Sequence, residues 1–123
     1  MKVNAAMSSM AIWKDRAYWV TARNSGVHEA SLSTGKIKAL VPKPKGNEWG
    51  IAIAAGADGA YWLQLSGELG RIMHDGKEVA SHPGWLQIVV DDRTVYAVGE
   101  YEINAIDKRT HAMTRSRWGA IGS

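Results

Sequence analysis

Asp58-Gly59-Ala60-Tyr61-Trp62-Leu63 decides the reading of this chain. A polar turn leads into a run of strand-forming residues that carries a tyrosine. The same texture stands at Asp15-Arg16-Ala17-Tyr18-Trp19-Val20 and at Asp92-Arg93-Thr94-Val95-Tyr96-Ala97-Val98. Recurrence at a spacing of tens of residues is the mark of a repeat architecture, in which each copy is one supersecondary unit.

Two further landmarks recur around these three. Thr34-Gly35-Lys36, Asp75-Gly76-Lys77 and Arg109-Thr110-His111 each follow one copy. The first two read as tight hairpin turns, because glycine supplies the positive φ such turns need. A tryptophan opens an apolar run at Trp49-Gly50-Ile51-Ala52-Ile53, at Trp85-Leu86-Gln87-Ile88-Val89-Val90 and at Trp118-Gly119-Ala120-Ile121. Ser9-Met10-Ala11-Ile12-Trp13 fills the same slot with its tryptophan shifted. Uneven spacing places the main insertion at Pro42-Lys43-Pro44-Lys45-Gly46-Asn47, where the prolines break any strand.

Each copy then reads as four strands. In the middle copy they fall at about Trp49–Ala54, Ala60–Leu65, Leu69–Met73 and Lys77–Ser81, with turns at Gly56–Gly59, Ser66-Gly67 and Asp75-Gly76. No stretch keeps a helical period, and 13 glycines suit so many turns. The expectation is a single all-β domain over residues 1–123, with repeats at about 9–46, 47–83 and 84–123.

Asp58 to Trp62, Leu69 to Met73 and Asp75 to Val79 resemble blades of the NHL and YWTD propeller families. Thr94 to Val98 with Ile103 to Thr110 resembles blades of the PQQ-type and YVTN families. The likeness runs from about Met10 to Ile121, and its motifs are short and degenerate. It implies a β-propeller fold, and families that host ligand binding, scaffolding and a few enzymes. Propellers close with about four to eight blades, so three leave two open sheet faces. A homodimer giving six blades is the simplest closure. Trp118-Gly119-Ala120-Ile121 reads as the first strand of a fourth blade, exchanged across that closure or cut short, whereas Met1 reads as a true start. The competing fold is a β-trefoil, which also uses three four-stranded repeats, although no Gln-x-Trp signature of trefoil lectins is present.

Composition bounds the function. The chain has 123 residues, 46% hydrophobic and 22% charged, which is globular and ample for one core. With no cysteine, neither disulfides nor thiolate metal sites contribute; a cytoplasmic setting is compatible and favoured over secretion, with localisation left open. No run approaches the roughly 18 apolar residues of a membrane helix. The net charge of +3 is mild and scattered, with one local group at Lys36, Lys38, Lys43 and Lys45, so nucleic acid is the less favoured partner.

The residue types point to recognition more than chemistry. Tyr18, Tyr61 and Tyr96 share one repeat position, which fits packing that recurs in every blade. Six tryptophans and no phenylalanine fit interfaces, since indole buries a large face and keeps an N–H. Trp13, Trp19, Trp62 and Trp118, with Lys43 and Lys45 of the insertion, are the candidate binding or interface residues. Trp13, its frame shifted, is expected to be the exposed one. His28, His74, His82 and His111 lack metal-ligand spacing, and Asp15, Asp58, Asp75, Asp91, Asp92 and Asp107 sit in turns. Glu100 and Glu102, expected on one side of a strand, form a carboxylate pair that usually marks a solvated edge.

The expected function is thus a non-enzymatic binding or assembly module, with no catalytic residue, metal or cofactor assigned. The alternatives are a small carbohydrate-binding lectin, or a propeller-type metal-dependent lactonase or hydrolase, whose metal would need Asp and Asn ligands such as Asn24, Asn47 or Asn104 to converge.

Overall fold

The computed structural model describes residues 7–21, 26–41 and 49–117. They form three four-stranded antiparallel sheets, each built from one continuous stretch of chain. The first holds β1 (Met7–Trp13), β2 (Arg16–Thr21), β3 (Val27–Ser31) and β4 (Ile37–Val41) in that order. The second holds β5 (Trp49–Gly56), β6 (Gly59–Ser66), β7 (Leu69–His74) and β8 (Lys77–Pro83). The third holds β9 (Trp85–Val90), β10 (Thr94–Gly99), β11 (Glu102–Asp107) and β12 (Met113–Arg117). In the middle sheet the observed strands contain the expected ones and run up to two residues longer. Among the described residues each sheet is a meander whose strands pair with their chain neighbours. The trefoil expectation fails on this point, since a trefoil closes its barrel by pairing strands across repeats.

The sheets stack face on face in chain order. β1 and β2 pack against β5, and β5, β6 and β7 pack against β9. The innermost strand of each unit therefore carries much of the contact with its neighbours, as in a propeller. Strand alternation splits every sheet into a leading face, turned to the next unit, and a following face, turned to the one before. Between the first and second sheets, Tyr18, Val20 and Val27 meet Ile53, Ala60, Trp62 and Met73. Between the second and third, Tyr61, Leu63 and Ile72 meet Trp85, Ile88, Val95, Ala97 and Ile106. Three tyrosines at one repeat position thus all point forward, and the tryptophans Trp19 and Trp62 point back.

The third sheet breaks the pattern instructively. Ala97 occupies the position of Trp19 and Trp62, as its pairing with Asn104 matches theirs with His28 and Met73. The missing indole is replaced from another strand. Trp85 is 1% exposed and its Nε1 donates to Asn104 Oδ1 at 2.7 Å. Its counterpart Trp49, also opening an inner strand, is 42% exposed. Close stacking also constrains the inner strand itself: a Cβ on Gly50 would lie 2.9 Å from Val20 Cβ.

The turns correct one expectation. Asp75-Gly76 is a two-residue turn with positive φ at both residues (51° and 76°), the geometry that favours a tight hairpin. The turn after β3 is longer and matches the one after β11 instead. Gly35 and His111 are both left-handed, at φ 75° and 64°, and both donate backward, to Ser31 O and Asp107 O at 2.8 Å. Thr34 therefore corresponds to Thr110, one residue off the alignment drawn from Thr34-Gly35-Lys36 and Arg109-Thr110-His111.

Leu63 is fully buried in the junction between the second and third sheets. Leu63→Ala is expected to lower unfolding free energy by about 2–4 kcal/mol, because a packed core leaves a cavity that relaxes only in part. Leu86→Ala, at a 57% exposed site, should stay within about 0.5 kcal/mol. Urea unfolding at fixed protein concentration measures both, and equal small effects would mean that stacking does not hold the sheets together.

Candidate interaction surfaces

The two ends of the stack each present a sheet face without a following or preceding unit among the described residues, and at the centre of the first-sheet face Ala17, Trp19 and Ala30 are nevertheless buried, at 2%, 2% and 0% exposure. On the first sheet this face carries the cross-strand rows Met10–Trp19–His28–Ala39 and Ile12–Ala17–Ala30–Ile37. On the third it carries Val89–Tyr96–Ala105–Thr114 and Gln87–Val98–Ile103–Ser116. None of these sixteen residues bears a formal charge. The junctions already made do include charges in the equivalent rows: Glu29 and Lys38, Glu78, Lys77, and Arg115. A solvated face ordinarily alternates with charged side chains, and large apolar exposures mark contact sites. Met10, Ile12 and Ile37 stand 51%, 56% and 43% exposed at one end, and Val89 stands 57% exposed at the other.

The first-sheet face is also incomplete in its hydrogen bonding. Trp19 stacks on His28 with ring centroids 5.5 Å apart and planes 11° from parallel. Trp19 Nε1 and His28 Nδ1 are shielded from water with no partner among the described residues. The equivalent Trp62 Nε1 donates to Gln64 Oε1 at 3.0 Å. An unpaired buried N–H costs about 1–3 kcal/mol, so such a group invites an acceptor.

A polar clasp ties the second and third sheets at one end of their junction. Tyr61 stacks on His74 at 4.0 Å and donates its hydroxyl to Asp58 Oδ2. Lys108, from the turn after β11, crosses from the third sheet to reach Asp58 Oδ1 at 3.0 Å, with its Nζ 5.0 Å from the Tyr61 ring centre. The lysine side chain is only 10% exposed. Burial works against Asp58 ionisation, but the hydrogen bonds from Tyr61 and Lys108 outweigh it and hold the carboxyl below its ordinary range. Burial, then the bond to Asp58 and its charge, push the Tyr61 hydroxyl up, so it stays protonated at neutral pH. Beside the clasp opens a cleft of about 660 Å³, lined by Asp58, Tyr61, His74, Asp92, Lys108 and Arg109.

The candidate residues fall in different places. Trp19 and Trp62 are buried, at 2% and 3% exposure, and Trp62 lies between the first two sheets. Trp13 is half-buried against that same cluster with Lys14 Nζ 5.8 Å from its ring, whereas Trp49 is the more open indole. Lys43, Lys45 and Trp118 lie outside the described residues, as do Asn24 and Asn47. Glu100 and Tyr101 form the bend between β10 and β11 rather than part of a strand, so the expected pairing of Glu100 with Glu102 on one face does not apply. Glu102 is engaged by Arg115 Nε at 3.1 Å instead. Of the other turn aspartates, Asp15, Asp91 and Asp107 accept hydrogen bonds from nearby backbone amides or serine hydroxyls. No group of three or more His, Cys, Asp or Glu able to hold a metal occurs among the described residues. Lys108 and Leu32, at matched turn positions, were not singled out by sequence; only the common Thr34 and Thr110 pointed to that match.

No protein-family model matches the chain, and no curated protein matches it. Solved structures do. U3-55K aligns over 95% of this chain and 41% of its own at a TM-score of 0.69 and 10% identity. A chain of the mitotic checkpoint complex aligns over 89% of this chain and 37% of its own, at 0.66 and 12%. The computationally designed Ika4 protein aligns over 94% of this chain and 74% of its own, at 0.62 and 13%. The neighbours are β-propeller-like proteins, and identities this low speak to fold alone. The chain spans well under half the length of the first and second of these. It is all-β, with three propeller-like four-stranded sheets.

Four aspartates, Asp15, Asp58, Asp91 and Asp107, have folded pKa values below their usual one. The stability they contribute is complete above the unfolded aspartate value of about 3.9 and is lost as pH falls through the folded values. Melting temperature followed by circular dichroism is expected to hold down to about pH 5 and then fall. Asp58→Asn should lower the melting temperature at pH 7 and make the acid decline shallower; an unchanged acid limb would show that the clasp carries no stability.

Proposed function

We propose that this chain is a non-enzymatic recognition or assembly module, half of a β-propeller ring that a second copy completes to six blades. The observation that carries the reading is the uncharged, half-exposed face of the third sheet, together with the apolar rim of the first, where Met10, Ile12 and Ile37 stand 51%, 56% and 43% exposed. Each repeats the residue pattern of a face that is already packed inside the molecule. Val89, Tyr96, Val98 and Ile103 take the places of Ala54, Tyr61, Leu63 and Ile72, and Met10 and Trp19 take those of Ile53 and Trp62. A surface built to meet its own kind leaves two ends that satisfy each other. Two copies joined at both ends bury all four, with two-fold symmetry.

The propeller-like neighbours support the recognition half of this reading, since they include a chain of a multiprotein complex. In a closed ring, the turns between strands gather on two opposite surfaces, and a scaffold of that kind offers its loops to a partner. A protein partner is the favoured ligand. Tyr18, Tyr61 and Trp62 are engaged in the internal junctions, whereas Tyr101, at 62% exposure, is an open aromatic contact.

Light scattering after size exclusion is expected to return twice the chain mass. Val98→Arg, which sets a charge in the open face of the third sheet, should return a monomer that keeps its β-sheet circular dichroism. A monomeric wild-type chain would end the half-ring reading.

A further inference from the structure

We infer that the ring closes head to tail, the third sheet of one copy against the first sheet of the other, with Leu32 of the incoming copy seated over Tyr96. This rests on the two-copy reading above and specifies which surfaces meet and in what register.

The turn after β3 and the turn after β11 are the same structure. Ser31 N donates to Lys36 O at 3.0 Å, and Asp107 N to Ala112 O at 2.9 Å. Leu32 N donates to Asp15 O at 2.7 Å, and Lys108 N to Arg93 O at 2.9 Å. Thr34 and Thr110 hydroxyls each accept from the amide two residues on, at 3.3 and 3.2 Å. Leu32 therefore holds the backbone position of Lys108. What Lys108 does there is visible: it reaches back onto Tyr61 and Asp58 of the preceding sheet.

The receiving half of that contact is repeated at the open end. Tyr96 lies on the forward face as Tyr61 does, and its hydroxyl donates to the turn aspartate Asp91 at 3.1 Å. Turning the stack by one unit places the first sheet of a second copy after the third sheet, and places its Leu32 where Lys108 lies over Tyr61. In the single chain Leu32 is 45% exposed, an apolar residue on a turn whose other members are Ser33, Thr34, Gly35 and Lys36. Closure covers it with an aromatic face. A like-to-like contact would instead set tyrosine face on tyrosine face, an arrangement neither internal junction uses.

The cysteine-free chain allows a direct test. Leu32→Cys and Asp92→Cys variants are made separately, then refolded together and treated with a short bismaleimide. A covalent dimer in the mixture, and none with either variant alone, is the expected result. Cross-linking of either variant with itself would overturn the head-to-tail contact. In sedimentation equilibrium, Leu32→Asp should raise the dimer Kd by about tenfold or more, and Leu32→Lys, which restores the lysine of the internal clasp opposite Asp91, should stay within about threefold of wild type. A wild-type monomer overturns both the ring and this contact. A wild-type dimer that gives no mixed cross-link and ignores Leu32→Asp overturns the contact and leaves the ring standing.

Discussion

The structure depends on one contact made twice: a tyrosine-bearing sheet face laid on the following face of the next sheet. A four-stranded sheet of this size cannot bury its apolar residues by itself, because strand alternation sends half of them to each side. Every unit therefore needs a neighbour on both faces, and among the described residues the middle sheet is packed between two others. Leu63 and Ile72 are fully buried, whereas their counterparts Val98 and Ile103 in the third sheet are only half-buried. The difference lies in neighbours, not in residue type.

That dependence explains where polar groups are placed. The internal junctions tolerate charge at their margins because it can be paired. Lys108 crosses to Asp58, and Arg71 meets Glu78 at 2.7 Å within the second sheet. Such pairs add little when exposed, and more when one partner is shielded, as Lys108 is. The end faces carry no such pairs along their central rows. Met10, Ile12, Ile37 and Val89 are the exposed large apolar residues of those rows.

The repeat itself was legible because its three tyrosines recur in a fixed relation to a preceding turn, and period-2 patterning survives even in a single sequence. The sheet count, strand order and the place of the middle strands followed from it. What could not be read was the correspondence of long-range partners. Trp85 and Trp49 look equivalent by position, yet only Trp85 is buried, because Ala97 leaves a space that Met73's counterpart Asn104 turns into a hydrogen-bonding pocket. Likewise a Gly at position 35 and a His at position 111 conceal that two turns share one backbone. The left-handed conformation is cheap for the first and strained for the second, so sequence similarity was lost while geometry was kept.

The same dependence governs the ionisable groups. The turn carboxylates are engaged by amides and hydroxyls that favour their ionised form, and the Tyr61 hydroxyl is held protonated. Those directions follow from the contacts that hold the turns and the junction together. These groups serve turns and junctions. Such a molecule has most to gain from surfaces, and its least satisfied surfaces are the two that its own repeat pattern shows how to cover. A cationic clasp at one junction and a leucine at the equivalent point of the open end then become two solutions to one packing problem. One is made inside a chain, where Lys108 lies 3.0 Å from Asp58 Oδ1. In the ring proposed above the other would be an uncharged contact, which avoids desolvating an ion.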